Sequence, residues 1–317
     1  MRVLLTGATG FVGQEITKQL RAAGCELRVL VRNPGSESAR ALASRYGAET
    51  RAGDVTDAGS LAGALQGIHA IVHLVGIVSE AGKSTFEEVH TRGTANLVTA
   101  ARRAGVGRFV HMSALGTRPG ARSRYHQTKW AAEEAVRASG IAYTIFRPSL
   151  VYGPGDHFVN LFAKIARFSP VVPVIETRGA RFQPVSVEAV TAGFVGALEE
   201  PRSVGQTYDL CGPERLTLSE IVDEVLAVLG RRRWKTRVPA GLARVQAALL
   251  EAIYPRLLGK APPLNRDQLL MLSEDNVGDP RPADEMFRLK HLSFREGIER
   301  YIGFPIDSPG AGASISL

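Results

Sequence analysis

Three glycines near the start of the chain limit the fold more than any other feature. Gly7, Gly10 and Gly13 stand directly after an apolar run, Arg2–Thr6, and at the beginning of a helical pattern. A tight turn favours glycine at position 7, close backbone approach to a phosphate favours it at 10, and packing of a helix on the strand favours it at 13. The free N–H groups at the start of a helix bind phosphate well. The loop therefore predicts an α/β fold with an anion site at its first turn; the alternative is a tight turn without a ligand.

Short β-rich runs alternate with helical patterns through the first half of the chain. Several runs, such as AIVHLV and YTIF, are apolar throughout, which is typical of strands covered by helices on both faces. The alternation predicts a Rossmann-type, doubly wound parallel sheet. The predicted strands are Arg2–Thr6, Glu26–Val31, Thr50–Ala52, His69–Val75, Arg108–Met112 and Ala142–Arg147, and the predicted helices lie near 12–23, 36–46, 58–66, 85–104 and 125–139.

The pattern changes after Arg147, where proline and glycine become denser and helical segments follow one another without regular strands. We expect helices near 217–229, 239–254, 264–273 and 293–302, and strands at 182–187 and 206–210 that return to the main sheet. The predicted organisation is a Rossmann domain at 1–150, to which 180–212 returns, and a smaller, mostly helical C-terminal lobe at 151–179 and 213–306. Residues 307–317 are small and polar, which predicts a flexible tail.

Composition narrows the class of protein. A chain of 317 residues with 44% hydrophobic residues can bury a sizeable core, and it has no run of eighteen apolar residues that could span a membrane. The two cysteines, Cys25 and Cys211, make neither a disulfide framework nor a metal cluster, and the first residues lack a secretory signal. We therefore expect a protein of the reducing cytoplasm without a bound metal.

The net charge of +8 lies entirely in the first half of the chain. Residues 1–150 hold 19 basic and 11 acidic residues, whereas residues 151–317 hold 20 of each. This excess of positive charge suits an anionic small molecule. The basic residues are dispersed and are not interleaved with aromatic residues, so we expect no nucleic-acid partner.

A serine, a tyrosine and a lysine form the candidate catalytic set. Tyr125 and Lys129 stand four residues apart on one face of a predicted helix, and Ser113 follows a predicted strand, where ligands bind in open α/β sheets. Reduction of a carbonyl needs a proton donor, and a phenol is a weak acid unless a nearby ammonium lowers its pKa. We expect Tyr125 to be the acid and base, Lys129 to lower its pKa, and Ser113 to polarise the carbonyl. The alternatives are a packed Tyr125 beside a solvated Lys129, and cofactor binding without turnover.

TGATGFVG at residues 6–13 and the Ser…Tyr-x-x-x-Lys set resemble the fingerprints of the short-chain dehydrogenase/reductase superfamily, in its extended and atypical branches. The resemblance continues through FRPSLVYGPGD and FQPVSVEAV and covers nearly all of residues 1–302. Three segments are most similar to bacterial relatives of the nucleotide-binding, NADPH-holding accessory subunit of respiratory complex I, namely TFEEVHTRGTANLVTAARRAGVGRFVHMSALG, SRYHQTKWAAEEAVRASG and GQTYDLCGPE. The resemblance implies a nicotinamide dinucleotide across the C-terminal ends of the strands, in contact with Gly7, Thr9, Gly10, Phe11, Val12, Gly13, Arg32, Asn33, Asp54, Val55, Leu74, Val75, Gly76, Tyr125, Lys129, Arg147, Pro148 and Ser149.

The end of the second strand bears on the choice of cofactor. Arg32 and Asn33 stand there with no acidic residue beside them. An acid at this point binds the 2′-hydroxyl of the adenosine ribose, whereas an arginine complements a 2′-phosphate. We therefore favour NADP(H) over NAD(H), with a solvated arginine as the alternative. The alternative roles of Asp54 and Gly76 are a helix cap or turn and a plain turn.

Two residues depart from the sugar-nucleotide enzymes of the superfamily. Those enzymes usually have Asn where this chain has His90, and an acid where it has Arg32. Both differences disfavour a sugar-nucleotide epimerase or dehydratase. We expect His90 to be a helical residue whose side chain packs against its neighbours. Its alternative role is to orient a water molecule or the substrate.

A segment of the C-terminal lobe combines basic and apolar residues. RRRWK at 231–235 precedes a helical pattern in which Leu242, Val245, Leu249 and Ile253 form an apolar stripe. The favoured interpretation is packing in the core or over a substrate pocket. The alternative is contact of 231–258 with an anionic membrane surface or a protein partner, which would place the protein at the periphery of the inner membrane. The superfamily resemblance also implies that the helices near 85–104 and 125–139 can form an oligomer.

The sequence thus predicts an NADP(H)-binding oxidoreductase that transfers hydride between nicotinamide and a carbonyl or quinone-like small molecule. Two alternatives remain open. One is a non-catalytic, cofactor-holding subunit or redox sensor of a respiratory or membrane assembly. The other is a sugar-nucleotide epimerase or dehydratase.

Overall fold

The computed structural model describes residues 1–259 and 261–302. The strands, numbered β1 to β13 in chain order, are Arg2–Thr6, Glu26–Val31, Glu49–Ala52, Ala70–His73, Arg108–Met112, Ala142–Pro148, Val151–Tyr152, Val171–Ile175, Arg181–Phe182, Val185–Ser186, Gln206–Leu210, Leu216–Thr217 and Trp234–Val238. The α-helices, numbered α1 to α12, are Phe11–Ala22, Glu37–Tyr46, Ala62–Leu65, Gly93–Arg103, Arg124–Arg137, Val159–Phe168, Val187–Glu199, Leu218–Val228, Ala240–Leu258, Arg266–Leu272, Arg281–Phe287 and Phe294–Ile302. A π-helical segment, Glu87–Arg92, leads into α4.

A seven-stranded parallel sheet lies at the centre of the molecule. Its strand order is β3-β2-β1-β4-β5-β6-β11, and each neighbouring pair is parallel. The chain winds from β1 outward to β3 and then crosses back to β4, so the strand order reverses between β1 and β4. In sheets of this kind, ligands bind outside the carboxyl ends of the strands at the reversal point. The predicted doubly wound parallel sheet is confirmed.

Both faces of the sheet are covered by helices. Val3 and Leu5 of β1 are buried with Ile16 of α1 and Phe194 of α7, whereas Leu4 points to the other core, which includes residues of α3, α4 and α5. Side chains alternate between the two faces of a strand, and here each face meets an apolar helix surface. This is why β1 is apolar at successive positions.

The C-terminal lobe has a core of its own. Phe162 of α6, Val172 of β8, Ile221 of α8 and Ile298 of α12 are buried together there. The helices predicted in this lobe are present as α8, α9, α10 and α12. The expectation of a lobe without regular strands is wrong, because β8 and β13 pair in parallel. The two strands are far apart in sequence, and Pro173 within β8 obscures its β pattern.

The strand predicted at 182–187 does not return to the main sheet. It is split into β9, which pairs with β12, and β10, which pairs with β7. Pro184 separates the two parts, and proline has no N–H group to donate to a strand ladder. Of the predicted return segment 180–212, the strand that joins the sheet is β11, which pairs with β6. The predicted tail at 307–317 lies outside the described residues.

The apolar stripe predicted on α9 is exposed. The side chains of Leu242, Val245, Leu249 and Ile253 are between 47% and 62% exposed. The opposite face of α9 is buried through two small residues, Ala243 and Ala247, in a cluster with Leu269 of α10. The favoured interpretation, that the stripe packs in the core or over a pocket, is therefore wrong for these side chains.

Candidate functional site

Two loops meet where the strand order reverses. Gly7 follows β1 and has a φ of +78°, in the left-handed region that favours glycine. A Cβ atom at Gly7 would lie 3.1 Å from the carbonyl carbon of Leu74 and 3.2 Å from the backbone nitrogen of Val75. The turn therefore brings the loop after β1 into contact with the loop after β4, at the edge of the sheet where a ligand is expected.

The start of α1 packs against the same turn. A Cβ atom at Gly13 would lie 2.1 Å from the carbonyl oxygen of Gly7 and 2.7 Å from the Cα atom of Ala8. No side chain fits at this distance from backbone atoms. Glycine at position 13 thus allows the helix to begin directly on the loop.

The N-terminus of α1 has no side-chain cap. Its N-cap residue, Gly10, is extended and makes no side-chain hydrogen bond, whereas Ser123 caps α5 and Ser186 caps α7. The first N–H groups of a helix have no partner within the helix. Thr9 and Gly10 are exposed, so an external anion can reach these groups. The loop and helix start thus fit the pyrophosphate of a dinucleotide.

The ammonium group of Lys129 joins three elements at the end of the sheet. Lys129 lies on α5 and is buried, and its Nζ atom donates to the carbonyl oxygen of Met112, the last residue of β5, at 3.0 Å. A Cβ atom at Gly76, in the loop after β4, would lie 3.0 Å from the same Nζ atom. Burial lowers the pKa of Lys129 to about 8. A buried cation therefore lies beside the loops at the reversal point.

Tyr125 is half-buried one helical turn before Lys129. Its ring packs edge-on against Phe86 and His90, with ring centroids 5.9 Å and 5.3 Å away. Among the described residues, its hydroxyl group makes no hydrogen bond. Burial raises the pKa of Tyr125 to about 12, and the lowering of this pKa by Lys129 stays a prediction. The phenol therefore keeps its proton at neutral pH.

Ser113 follows β5 directly and is buried. Its backbone nitrogen donates to the carbonyl oxygen of Phe146 at 2.7 Å, and its hydroxyl donates to that of Thr117 at 3.4 Å. Because Lys129 binds the carbonyl of the preceding residue, the structure brings Ser113 and the lysine to the same strand end. The catalytic roles of Ser113, Tyr125 and Lys129 stay predictions.

His90 is buried and holds two elements next to Lys129. Its Nε2 atom accepts from the backbone nitrogen of Ile77 at 3.0 Å, so its Nδ1 atom carries the proton and donates to the hydroxyl of Thr128 at 3.0 Å. Burial and the Lys129 ammonium lower the pKa of His90 to about 2. This neutral, fully bonded histidine agrees with the packed role expected for it.

The C-terminal lobe contributes a residue that the sequence did not single out. The Asp267 carboxylate on α10 accepts from the backbone nitrogens of Arg124 and Tyr125, at 2.7 Å and 3.0 Å. Ser123 caps the next N–H group of α5, that of His126. Asp267 is 142 residues from Tyr125, so no local pattern could have revealed this contact. The lobe thus completes the N-terminal cap of the helix that carries Tyr125 and Lys129.

The predicted adenosine end lies after β2. Arg32 is exposed and forms no ion pair with any described residue. The side chain of Asn33 accepts from the backbone nitrogen of Gly35 at 2.9 Å, and Ser36 caps α2. The Arg32 guanidinium is therefore available to a phosphate.

Asp54 and Val55 follow β3. One carboxylate oxygen of Asp54 accepts from the backbone nitrogen and the hydroxyl of Thr56, both at 2.9 Å, which is the turn-forming role named as its alternative. Val55 is buried, and a Cβ atom at Gly93 would lie 2.9 Å from its side chain. A contact of Asp54 with adenine stays a prediction.

The three predicted contact residues at the end of β6 bind within the protein. Arg147 pairs with the buried Glu133 through two hydrogen bonds, at 2.8 Å and 2.7 Å. Ser149 donates to the side chain of Asn276 at 2.5 Å, and Pro148 is buried. The side chains of Arg147 and Ser149 thus already bind other residues of the protein. A cofactor contact at these positions stays a prediction, and the backbone atoms would have to make it.

Comparison with known proteins gives both family and fold. Residues 7–158 match the NAD(P)H-binding family. A ceramide reductase of Caulobacter vibrioides is 33% identical, over 79% of this chain and 77% of that protein. The mitochondrial NADH dehydrogenase [ubiquinone] 1 alpha subcomplex subunit 9 of Arabidopsis thaliana is 28% identical, over 98% of this chain and 79% of that protein.

Among solved structures, this chain is similar to a dTDP-glucose 4,6-dehydratase of Streptomyces venezuelae with NAD bound. The TM-score is 0.74 at 24% identity, over 95% of this chain and 96% of the other. At this identity the likeness concerns the fold.

Proposed function

This chain belongs to the extended branch of the short-chain dehydrogenase/reductase superfamily of NAD(P)-binding proteins, and on that basis we propose that it is an NADP(H)-dependent reductase of a lipophilic carbonyl compound. A quinone-like molecule is one member of that substrate class. The 33% identity to a ceramide reductase supports both the direction of the reaction and an apolar substrate.

One observation carries the proposal. The Nζ atom of Lys129 lies 3.0 Å from the carbonyl oxygen of Met112 and would lie 3.0 Å from a Cβ atom at Gly76. The helix that carries Tyr125, the strand end that carries Ser113 and the loop after β4 therefore converge at one point. That point lies beside the turn at Gly7, where the pyrophosphate fits.

The proposed chemistry divides the work among these side chains. A nicotinamide bound at this edge supplies the hydride. The Tyr125 hydroxyl, which keeps its proton at neutral pH, donates that proton to the substrate oxygen as the carbonyl becomes an alcohol. The Ser113 hydroxyl polarises the same oxygen, and the Lys129 ammonium stabilises the negative charge left on Tyr125. Solvent then returns a proton to Tyr125.

The preference for NADP(H) is part of the proposal. The exposed Arg32 guanidinium after β2 has no ion pair among the described residues, and no acidic residue stands next to it. A 2′-phosphate would pair with this guanidinium through charge-assisted hydrogen bonds. We further propose that the protein acts in the cytoplasm on a small molecule. We also propose that it self-associates through α4 and α5.

A second candidate is a cofactor-holding subunit without turnover. The match to the Arabidopsis NADH dehydrogenase subunit, which spans 98% of this chain, favours it. Sugar-nucleotide epimerisation or dehydration is weaker, because the similar dehydratase shares the fold at 24% identity and His90 and Arg32 depart from those enzymes.

The first test measures cofactor selectivity. Purified protein is titrated with NADPH and with NADH while nicotinamide fluorescence is followed. Arg32→Ala should weaken NADPH binding by about tenfold to a hundredfold, the worth of one or two charge-assisted hydrogen bonds, and should change NADH binding by less than about threefold. Arg45→Ala, at the other end of α2, is the matched control. Equal weakening of both cofactors would reject the 2′-phosphate role.

The second test separates a reductase from a holding subunit. Oxidation of NADPH is followed with a benzoquinone, a 3-oxosteroid and a 3-oxosphingolipid as probes. Loss of the proton donor in Tyr125→Phe should slow turnover by about 10²- to 10⁴-fold and leave the NADPH affinity within a few-fold. Tight NADPH binding without turnover of any probe would favour the holding subunit, and undiminished turnover by Tyr125→Phe would remove the assigned role of Tyr125.

A further inference from the structure

The outer face of α9 carries a continuous row of large apolar side chains. Leu242, Val245, Leu249, Ile253 and Leu257, here called the α9 stripe, are each between 47% and 77% exposed. Their spacing of three and four residues places them on one face of the helix. The buried face holds small side chains, Ala243 and Ala247. Large aliphatic residues outside and small ones inside reverse the usual arrangement of a surface helix, and so large an apolar surface is typical of a binding face.

Basic residues without acidic partners precede α9 in the chain, and one lies within it. Arg231, Arg232, Arg237 and Arg244 are exposed, and none of them forms an ion pair with a described residue. Other basic residues of the same lobe are neutralised, since Lys235 pairs with Asp223 and Arg266 pairs with Glu251. These arginines, which stand between residues 231 and 244, therefore carry positive charge that no described acidic side chain neutralises.

An exposed tryptophan stands in the same segment, between Arg232 and Arg237. Trp234 is 82% exposed at the start of β13, the strand that leads into the helix. An indole ring has an apolar body and one N–H donor, which suits the headgroup region of a bilayer. The segment 231–257 thus contains the exposed aromatic, basic and aliphatic side chains expected of an interfacial anchor.

We propose that the α9 stripe lies in the surface of a lipid bilayer, and that Arg231, Arg232 and Arg237 bind the headgroups of anionic phospholipids. From Leu242 to Leu257 the stripe is about 22 Å long at 1.5 Å per residue, so the helix lies along the surface. Within residues 1–259 and 261–302, every helix is too short or too polar to serve as a transmembrane span. A second copy of the chain is disfavoured as the occupant, because pairing two such faces would bring two sets of unpaired arginines together.

The docking face is connected to the candidate active site. Glu251 of α9 pairs with Arg266 at the start of α10, and the next residue, Asp267, caps the helix that carries Tyr125. Docking does not depend on the proposed reaction, but it would place this site next to the bilayer in which a lipophilic substrate dissolves.

The test uses the full chain and vesicles of phosphatidylcholine with or without about 30 mol% phosphatidylglycerol, since anionic lipid is what attracts a basic segment. Flotation at low and high salt measures the bound fraction. We expect binding to the anionic vesicles, a loss of most binding at high salt, and weak binding to pure phosphatidylcholine. Each of Arg231→Gln, Arg232→Gln and Arg237→Gln should weaken binding by about fivefold.

The apolar contribution is tested with a double variant. Leu249→Gln with Ile253→Gln should weaken binding to anionic vesicles by at least about tenfold, because two aliphatic side chains that the bilayer would bury are lost. Leu161→Gln on α6, which also replaces an exposed leucine, is the matched control, and circular dichroism checks that each variant is folded. Equal binding by the double variant and the control would overturn the proposal, as would equal binding to neutral and anionic vesicles.

Sedimentation equilibrium without lipid measures the mass of the protein in solution and so tests whether a second copy of the chain covers the stripe. A change in mass caused by the double variant would show that the stripe binds a second chain, and this would overturn the proposal. The outcome is separate from that of the reductase, because vesicle binding without turnover rejects only the reductase, and turnover without vesicle binding rejects only the docking face.

Discussion

Lys129 is a buried cation whose position depends on one small neighbour. Its ammonium donates to the carbonyl of Met112, and Gly76 leaves the space into which the Nζ atom fits. The acid on the same helix, Glu133, raises the pKa of Lys129, but burial outweighs it and the pKa falls to about 8. At neutral pH the side chain is thus still charged, and a small shift of this group would change the electrostatics at Tyr125.

Gly76→Ala tests this dependence. The new Cβ atom would lie 3.0 Å from the Nζ atom of Lys129 and 3.5 Å from the Nε2 atom of His90. Because the nearest atom ends a flexible side chain, we expect the free energy of unfolding to fall by less than about 1.5 kcal/mol. NADPH affinity and turnover should fall by about tenfold, since the Lys129 ammonium must shift by a few tenths of an ångström.

Urea unfolding and fluorescence titration measure these two effects. Gly63→Ala, on α3 with no atom within 4 Å of the new Cβ, is the control for loss of a glycine. If Gly76→Ala binds NADPH as well as the control, the loop after β4 does not contribute to the cofactor site.

At the scale of single elements, α5 depends on both halves of the molecule. Ser123 caps it from within the first domain, and Asp267 caps it from the C-terminal lobe. A carboxylate at a helix N-terminus accepts from free N–H groups and interacts favourably with the helix dipole. The helix that carries Tyr125 and Lys129 is therefore fully capped only when the lobe is in place.

Asp267→Asn should weaken this connection. The amide keeps one acceptor oxygen but loses the charge, so we expect the free energy of unfolding to fall by about 1 kcal/mol and the KM of a carbonyl substrate to rise. NADPH affinity should stay within about threefold, because the glycine loop is untouched. Urea unfolding and steady-state kinetics measure the two effects.

Asp279→Asn provides the control for the loss of an aspartate charge. Asp279 pairs with Arg281 at the start of α11, in the same lobe, and makes no hydrogen bond to α5 among the described residues. Equal kinetic constants for Asp267→Asn and Asp279→Asn would mean that the cap stabilises the lobe without positioning Tyr125.

At the scale of the whole molecule, three buried histidines lie under the candidate site. His73 binds the hydroxyls of Thr6 and Thr94, His111 stacks on His73 with centroids 5.4 Å apart, and His90 lies next to Lys129. Neither ring nitrogen of His111 has a hydrogen-bond partner among the described residues. Burial lowers the pKa of all three below the usual 6.5, to about 3 for His73 and about 2 for His90.

These histidines predict a protein that is sensitive to acid. Their pKa values are lower in the folded chain than in the unfolded chain, so the unfolded chain binds more protons as the pH falls below 6.5. The contribution of these histidines to stability is therefore complete above pH 6.5 and is lost toward pH 3, by about 1.4 kcal/mol per pH unit for each histidine. Urea unfolding at pH 7.5, 6 and 5 measures this slope.

His111→Leu should reduce the dependence of the unfolding free energy on pH by the contribution of one histidine, about 1.4 kcal/mol per pH unit. Phe109→Leu, in the same cluster, should lower stability equally at each pH and leave the slope unchanged. If the free energy of unfolding of His111→Leu depends on pH as steeply as that of the parent chain, the pKa of His111 is not lowered in the folded state.

The first half of the molecule could be predicted because its signals are local. Strands β1, β2 and β5 begin and end at or very near the predicted residues, since apolar runs bounded by glycine and polar residues specify a buried strand by themselves. The spacing of Gly7, Gly10 and Gly13 and the four residues between Tyr125 and Lys129 likewise carry their meaning in the sequence.

Contacts between distant segments were decided only by the tertiary structure. The pairing of β8 with β13, the splitting of 182–187 at Pro184, and the Asp267 cap on α5 each join residues that no periodic pattern connects. Helices α6 and α11 were not predicted, because proline-rich surroundings mask their short apolar pattern.

The α9 stripe shows the same division within one helix. Its sequence determines an amphipathic helix, because apolar residues recur at helical spacing. Which face is buried depends on what packs against the helix, and the small alanines, rather than the large aliphatic residues, meet α10. Periodicity establishes that a helix has an apolar side; only the tertiary structure decides whether that side faces the protein or a partner outside it.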